Sequence, residues 1–154
     1  MEWAEYAGNR YGTLRVEVDR IRQGGRHVLL DIEVQGAAQV RKKYPRPESL
    51  AIFLLPPSGQ ELVNRLRGRG TETHIALWLP RLERASEELQ VAEDFDCVVV
   101  NDDLDRAVTE VSAAIDATAP PLPRNEVRRR VEELLADLRD ALDRLKRKHT
   151  KGTA

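Results

Sequence analysis

The stretch Leu29-Leu30-Asp31-Ile32-Glu33-Val34-Gln35-Gly36-Ala37 decides the fold. Its apolar residues run together rather than alternating, which indicates a β-strand buried on both faces, as in a parallel sheet. We predict this strand over His27–Val34, where it delivers the carboxylates of Asp31 and Glu33 to a nucleotide site. Such a strand normally works beside a phosphate-holding loop (P-loop) of the form G-x-x-x-x-G-K-[ST], yet the sequence contains no Gly-Lys pair.

Composition narrows the class of protein. The chain has 154 residues, of which 33% are charged and 41% hydrophobic, which suits a single globular domain with a core. The net charge of -1 gives no general affinity for nucleic acid or for an anionic membrane. No apolar stretch is long enough to span a membrane, and the acidic start is not a signal peptide. Cys97, in an apolar run, predicts a reduced core thiol and a cytoplasmic protein.

Around the deciding stretch, strands alternate with helices, which predicts an α/β fold with a parallel sheet. Residues 2–12 indicate an irregular or hairpin-like segment. Two more strands are predicted over residues 50–55 and 96–101, and helices over about 13–23, 36–43, 58–67, 74–92 and from 102–103 to 116.

Several residues mark the ends of these helices. Thr13 is the predicted N-cap of the first helix, and Gly24-Gly25 is its stop. Ser58 and Glu61 have the spacing of a capping box. Pro80 should either kink its helix or shift the start of that helix beyond itself.

The end of the chain forms a separate region. A stiff proline-rich linker over 118–124 precedes a predicted amphipathic helix over 125–149, capped by Asn125, and residues 150–154 are expected to be a disordered tail. The apolar residues of this helix follow four- and three-residue steps: Val127, Val131, Leu134, Leu138, Leu142 and Leu145. This pattern is compatible with a coiled coil that binds a protein partner or a second copy, and equally with a helix packed on its own domain.

Five short motifs, taken together, indicate a family. They are Glu2-Trp3-Ala4-Glu5, Gly8-Asn9-Arg10-Tyr11-Gly12-Thr13, Leu30-Asp31-Ile32-Glu33-Val34-Gln35-Gly36-Ala37, Arg65-Leu66-Arg67-Gly68-Arg69-Gly70-Thr71 and Val100-Asn101-Asp102-Asp103-Leu104. In this order and with these spacers, residues 1–117 closely resemble the guanylate kinases, which transfer a phosphoryl group from ATP to GMP.

The resemblance implies the fold of the P-loop nucleoside monophosphate kinases, lacking its first strand and P-loop. The GMP-binding segment would be residues 1–25, and the core and lid residues 26–117, with the lid at about 66–82. Met1 stands where the family has an apolar residue of an ongoing segment. We therefore expect a start inside a longer gene, or a truncated copy.

The resemblance also implies a set of GMP-binding residues. Glu2 and Glu33 match the family acids that accept the N–H groups of the guanine edge and so select guanine over adenine. Tyr11 matches a tyrosine that reaches the GMP phosphate, and Gly12 and Thr13 match its neighbours. The alternatives are a solvated Glu2 near a terminus and an ordinary N-cap at Thr13.

The residues implied in catalysis lie further along the chain. Asp31 matches an acid that orients a magnesium-bound water, although it could equally be a structural carboxylate. Arg65, Arg69 and Arg81 match the lid arginines, whose charges stabilise the transferred phosphoryl group. Asn101 matches a position near the ATP adenine, or else it simply follows a strand in a turn.

The predicted activity is therefore ATP-dependent phosphorylation of GMP with Mg2+. Because the P-loop is missing, the chain alone is expected to be inactive and to bind GMP at best in the millimolar range. Two alternatives stay open. One is a non-catalytic guanylate kinase-like interaction module with a coiled-coil tail, and the other is a gene fragment without a function of its own.

Overall fold

A computed structural model describes residues 2–6, 9–68 and 75–151. The chain divides into two compact units at Ala51 and Ile52. Among the described residues, the first unit contains a β-hairpin and two α-helices, and the second contains a parallel strand pair, four α-helices and a short 3-10 helix. None of the described helices is long and apolar enough to cross a membrane.

The first unit begins with an antiparallel hairpin of β1 (Glu2–Tyr6) and β2 (Asn9–Thr13). In its register, Glu2 lies opposite Thr13 and Tyr6 lies opposite Asn9. The hairpin-like segment expected from the sequence is confirmed.

Helix α1 (Arg15–Gln23) follows the hairpin, but Thr13 is not its cap. The N-cap residue is Leu14, which makes no side-chain capping hydrogen bond, because the Thr13 hydroxyl donates to Glu2 instead. The predicted stop is confirmed: Gly24 is the C-cap, and Gly25 has a φ of +70°, which glycine adopts without strain.

The predicted strand over His27–Val34 is wrong. Residues 24–33 contain no helix or strand, and Leu29 is 85% exposed rather than buried. Instead, Glu33 becomes the N-cap of helix α2 (Val34–Lys43), so this helix begins two residues before its predicted start. A strand needs a neighbouring ladder for its N–H and C=O groups. No strand pairs with this segment among the described residues, and capping by Glu33 favours the helix.

The second unit contains two of the three strands that the sequence predicts, and they pair in parallel. Strands β3 (Ile52–Leu55) and β4 (Cys97–Val100) pair in register from Ile52 opposite Cys97 to Leu55 opposite Val100. The helices of this unit are α3 (Gly59–Gly68), α4 (Ile75–Leu89), α5 (Leu104–Ile115) and α6 (Arg124–Lys151), with a short 3-10 helix at Ala92–Asp94. The α/β class and its parallel sheet are therefore confirmed, with a smaller sheet than expected.

Local capping explains where α3 and α5 start. The Glu61 main-chain N–H donates to Ser58 Oγ over 3.1 Å, as the capping-box spacing predicts. Asp103 caps α5 by accepting the Arg106 N–H over 2.9 Å. Pro80 lies inside α4, so the start of this helix has not shifted past the proline.

Helix α6 packs on its own chain. Val127, Val131, Leu134 and Leu138 are buried in one hydrophobic cluster. Their buried partners in that cluster are Leu55, Val63, Leu82, Leu89, Ala92 and Val98. Of the two alternatives for this apolar pattern, the structure shows packing on the same chain for these four residues, because their side chains are covered within the unit.

Two polar contacts hold α6 in this position. Asp137 Oδ2 accepts the Gly59 main-chain N–H at the start of α3 over 3.2 Å. Arg128 forms an ion pair with Glu93 over 2.9 Å, and the hydrogen bond from this guanidinium lowers the pKa of the Glu93 carboxyl. The helix continues to Lys151, two residues beyond its predicted end, and the remainder of the predicted tail, residues 152–154, lies outside the described residues.

A second, smaller cluster lies between the sheet and α5. It consists of the buried residues Cys97, Val99 and Ala107, with Ile52 and Val111 packed against them. Cys97 is buried, as the apolar run around it predicts.

Candidate functional site

Glu2 is a buried carboxylate at the start of β1. It is 5% exposed, so the alternative of a solvated side chain is wrong. The Thr13 hydroxyl, directly across the hairpin, donates to Glu2 Oε1 over 2.6 Å. A buried carboxylate needs such donors, because loss of hydration is costly for a charged group.

Glu33 and Glu2 converge on Gly36, in the first turn of α2. Glu33 Oε1 accepts the Gly36 main-chain N–H over 2.6 Å. A Cβ atom at Gly36 would lie only 3.0 Å from Glu2 Oε2, so glycine leaves room for the second carboxylate. The structure thus brings together the two acids that the sequence predicts for one site.

The position at the beginning of a helix suits this pair of acids. The first N–H groups of a helix have no partner inside the helix, and the helix dipole is positive at this end. Glu33 accepts one of these N–H groups, that of Gly36. Ionised carboxylates only accept hydrogen bonds, so the arrangement is suited to a ligand that presents N–H donors.

Tyr11 lies on the same face of the hairpin as Glu2 and Thr13. It pairs with Ala4, two residues along from the pair of Glu2 and Thr13, and side chains two residues apart point to the same side of a strand. Tyr11 is 61% exposed.

Gly12 allows the two strands of the hairpin to approach closely. A Cβ atom at this position would lie 2.5 Å from the Glu2 carbonyl oxygen and 3.2 Å from Trp3 Cα. Only glycine fits here without a shift of the main chain, and that main chain carries Glu2.

Gly12→Ala is therefore expected to destabilise the hairpin by about 1–3 kcal/mol, because the new methyl group meets main-chain atoms that cannot rotate away. Hydrogen exchange of the β1 and β2 amides measures this loss. Tyr11→Phe, in the same strand at an exposed position, serves as the control and should leave exchange unchanged. Equal protection in Gly12→Ala and in the unsubstituted chain would contradict the close approach.

Asp31 is placed differently from its prediction. It is exposed and lies in the segment without helix or strand, rather than at the end of a buried strand. It precedes Glu33, the cap of α2, by two residues. Asp31 is therefore close to this site along the chain, but it does not lie on a β-strand, the element that was predicted to orient it.

The other predicted residues belong to the second unit. Arg65 lies on α3, where its Nε pairs with Glu61 Oε1 over 2.8 Å, and Arg81 is exposed on α4. Arg69 lies outside the described residues. Asn101 directly follows β4, and its main-chain N–H donates to the Leu55 carbonyl over 2.8 Å, which extends the parallel ladder by one bond.

Gln39, on α2, was not predicted from the sequence as a residue of this site. Its carboxamide contacts the main chain of Trp3 twice: Oε1 accepts the Trp3 N–H over 3.2 Å, and Nε2 donates to the Trp3 carbonyl over 2.8 Å. The available signal was its spacing. Gln39 lies three residues after Gly36, on the same face of the helix.

Comparison with known proteins identifies the family. The sequence model described as guanylate kinase matches residues 1–118. The chain belongs to the guanylate kinase family. This match includes every residue predicted for the site and ends before α6, so the C-terminal helix is additional to the guanylate kinase region.

Individual guanylate kinases support the assignment. The chain is 51% identical over 118 residues to the guanylate kinase of Synechococcus sp. strain CC9311, which covers 77% of the chain and 60% of the relative. It is 52% identical over 111 residues to that of Parasynechococcus marenigrum strain WH8102, covering 72% and 59%. For the guanylate kinase of Nostoc sp. strain PCC 7120, the identity is 48% over 115 residues, covering 75% and 56%. The chain thus spans about three-fifths of the length of these relatives.

Proposed function

We propose that the first unit is the GMP-recognition part of a guanylate kinase, and that the reaction of the whole enzyme is phosphoryl transfer from ATP to GMP. One observation carries the proposal: the carboxylates of Glu2 and Glu33 converge on Gly36, and Glu2 is nine-tenths buried or more. The family assignment indicates that the ligand of these two acids is guanine.

Guanine and adenine differ in the groups that such a pair can bind. The base-pairing edge of guanine presents N–H donors at N1 and N2, and ionised carboxylates are acceptors only. Adenine has a ring acceptor at N1, so it would leave a carboxylate unpaired and desolvated. A site built around a hydrogen bond rejects the analogue that lacks the donor. We assign Tyr11, Gly12 and Thr13 to the phosphate side and the neighbouring wall of the same pocket.

The second unit supplies cations for the transfer step. Phosphoryl transfer spreads negative charge over the transferred oxygens, and fixed positive charges stabilise that charge. We assign this role to Arg65 and Arg81, and by family resemblance to Arg69. Arg65 would have to exchange its ion pair with Glu61 for the phosphate, which costs little for a partly exposed pair. Asn101 is assigned to the adenine of ATP.

The chain provides only part of what Mg2+ requires. Within residues 2–6, 9–68 and 75–151, no group of three or more His, Cys, Asp or Glu side chains is placed to hold a metal ion. In kinases the metal is bound largely by the nucleotide phosphates. Asp31 is exposed and offers a single carboxylate, so its contribution would be to orient a metal-bound water. These described residues do not form a metal site by themselves.

GMP binding tests the proposal. We expect the full chain to bind GMP with a Kd of about 1 mM, or about 4 kcal/mol, and to bind AMP more weakly. Glu2→Gln keeps the size of the side chain but replaces one acceptor oxygen by a donor, and should weaken GMP binding about tenfold or more. Titration of the full chain followed by NMR chemical shifts measures both ligands in this range.

Two further variants make the result specific. Glu33→Asn retains a good N-cap for α2 while removing the charge, so it separates base recognition from helix capping. Glu17→Gln, on the exposed surface of α1, is the matched control and should bind GMP normally. Equal affinities for GMP and AMP, or unchanged GMP binding by Glu2→Gln, would contradict the proposed function.

A further inference from the structure

Gln39 ties α2 to the main chain next to Glu2. We propose that Gln39 is a positioning residue, which sets the place of the Glu2 carboxylate for guanine. This inference rests on the proposed function for its ligand. It goes beyond that function by assigning a role to a residue that does not itself touch the base.

Among the residues that the structure describes, one edge of β1 pairs with no other strand. In an antiparallel pair, residues alternate between those that exchange hydrogen bonds with the partner strand and those whose N–H and C=O point outward. Both the N–H and the C=O of Trp3 bond to the Gln39 side chain, so this residue faces away from β2. The carboxamide therefore occupies the position that a third strand would take.

A carboxamide matches this pair of contacts. A glutamine side chain combines a carbonyl acceptor with an N–H2 donor, which matches the donor and acceptor that one residue of an edge strand presents. The length of the Gln39 side chain also matters, because it reaches from the helix to the strand. A carboxylate at this position would lose the bond to the Trp3 carbonyl and place negative charge against that oxygen.

The contacts of Gln39 with Trp3 affect the distance between the carboxylates of Glu2 and Glu33. Glu33 is the N-cap of α2, Gly36 lies in its first turn and Gln39 follows on the same helix. The two hydrogen bonds between Gln39 and Trp3 form a contact that we call the Gln39 clamp. Because Glu2 is adjacent to Trp3 in the chain, this clamp fixes the main chain of Glu2 relative to α2. One helix thereby sets the positions of both carboxylates, one directly and one through Gln39.

The experiment uses the full chain and three variants. Gln39→Met removes both hydrogen bonds at similar length, Gln39→Glu retains only the acceptor, and Gln35→Met changes an exposed glutamine earlier on the same helix as a control. In Gln39→Met we expect the Trp3 amide to exchange about tenfold faster in the absence of nucleotide, and GMP affinity to fall about tenfold. AMP affinity should change little, because the adenine edge does not use the Glu2 carboxylate as an acceptor for N1.

A double-mutant cycle with Glu2→Gln gives the sharper test. If Gln39 acts through Glu2, then Gln39→Met should cause no further loss of GMP affinity in the Glu2→Gln background. Full additivity, or an equal loss of GMP and AMP binding, would overturn the positioning role. Should Gln39→Met fail to fold, Gln39→Glu gives the same cycle with one bond retained.

The readouts also separate two kinds of failure. If the unsubstituted chain shows no preference for GMP over AMP, the proposed function fails, and the guanine role of Gln39 fails with it. If that preference is present but the Trp3 amide exchanges at the same rate in Gln39→Met, only the clamp is overturned.

Discussion

Leu138→Ala in α6 is expected to lower the free energy of unfolding by about 2–5 kcal/mol. Leu138 is 0% exposed and belongs to the cluster that contains Val63 of α3 and Leu82 of α4. Removing three carbon atoms there loses their burial and leaves a cavity that the surrounding helices fill only in part. Urea unfolding followed by circular dichroism at 222 nm measures the change.

Leu104→Ala makes the same chemical change at an exposed position. Leu104 is 72% exposed at the start of α5, so its truncation should cost no more than about 0.5 kcal/mol. A similar, small loss for both variants would show that α6 does not belong to the core. It would restore the coiled coil as the explanation of the apolar seam, and sedimentation would then show whether the chain associates through residues 120–154.

The heptad steps of α6 illustrate what a sequence pattern leaves open. Spacing of four and three residues places apolar side chains on one stripe of a helix, whether the stripe faces another chain or the same chain. The choice depends on whether a complementary surface exists nearby. Here α3 and α4 provide one, and Asp137 adds a hydrogen bond to Gly59, contacts between distant parts of the sequence that periodicity cannot reveal.

The segment over His27–Val34 shows that an apolar run is not sufficient to predict a strand. Its apolar run predicts a buried strand, but a strand also requires main-chain partners, which composition does not disclose. The local signal at Glu33 was present in the sequence: an acid three residues before Gly36 can cap a helix. In the structure this short-range bond is made, over 2.6 Å, and the strand is not.

The residues of the candidate site could be predicted from the sequence, but their arrangement in space could not. Glu2, Thr13 and Glu33 could be named because the family motifs contain them. The burial of Glu2 and the convergence of Glu2 and Glu33 on Gly36 could not be deduced, since both depend on how the hairpin meets α2. Gln39 was not predicted because its side chain bonds to main-chain atoms of Trp3. Such contacts do not require a particular side chain in the partner segment, so the sequence shows no pattern for them.

The 154-residue chain, given ATP, Mg2+ and GMP, is expected to form GDP at least about 10³-fold more slowly than the guanylate kinase of Synechococcus sp. strain CC9311. Main-chain N–H groups and a lysine of a P-loop normally hold the ATP phosphates, and these 154 residues contain no Gly-Lys pair. Arginines cannot replace that loop, because phosphoryl transfer depends on the position of the reacting phosphate more than on the amount of positive charge near it.

A coupled assay of ADP release measures the rate, with the Synechococcus enzyme as the positive control. Arg81→Met provides the internal control, because any turnover that belongs to this chain should fall when an arginine assigned to the phosphoryl group is removed. A rate near that of the relative, abolished by Arg81→Met, would contradict the prediction. It would mean that another part of the chain binds the ATP phosphates, and the main-chain N–H groups at the starts of the helices would be the first places to search. A slow rate unaffected by Arg81→Met would instead identify a contaminating kinase. The expected result, no turnover together with selective GMP binding, would separate nucleotide recognition by the first unit from catalysis.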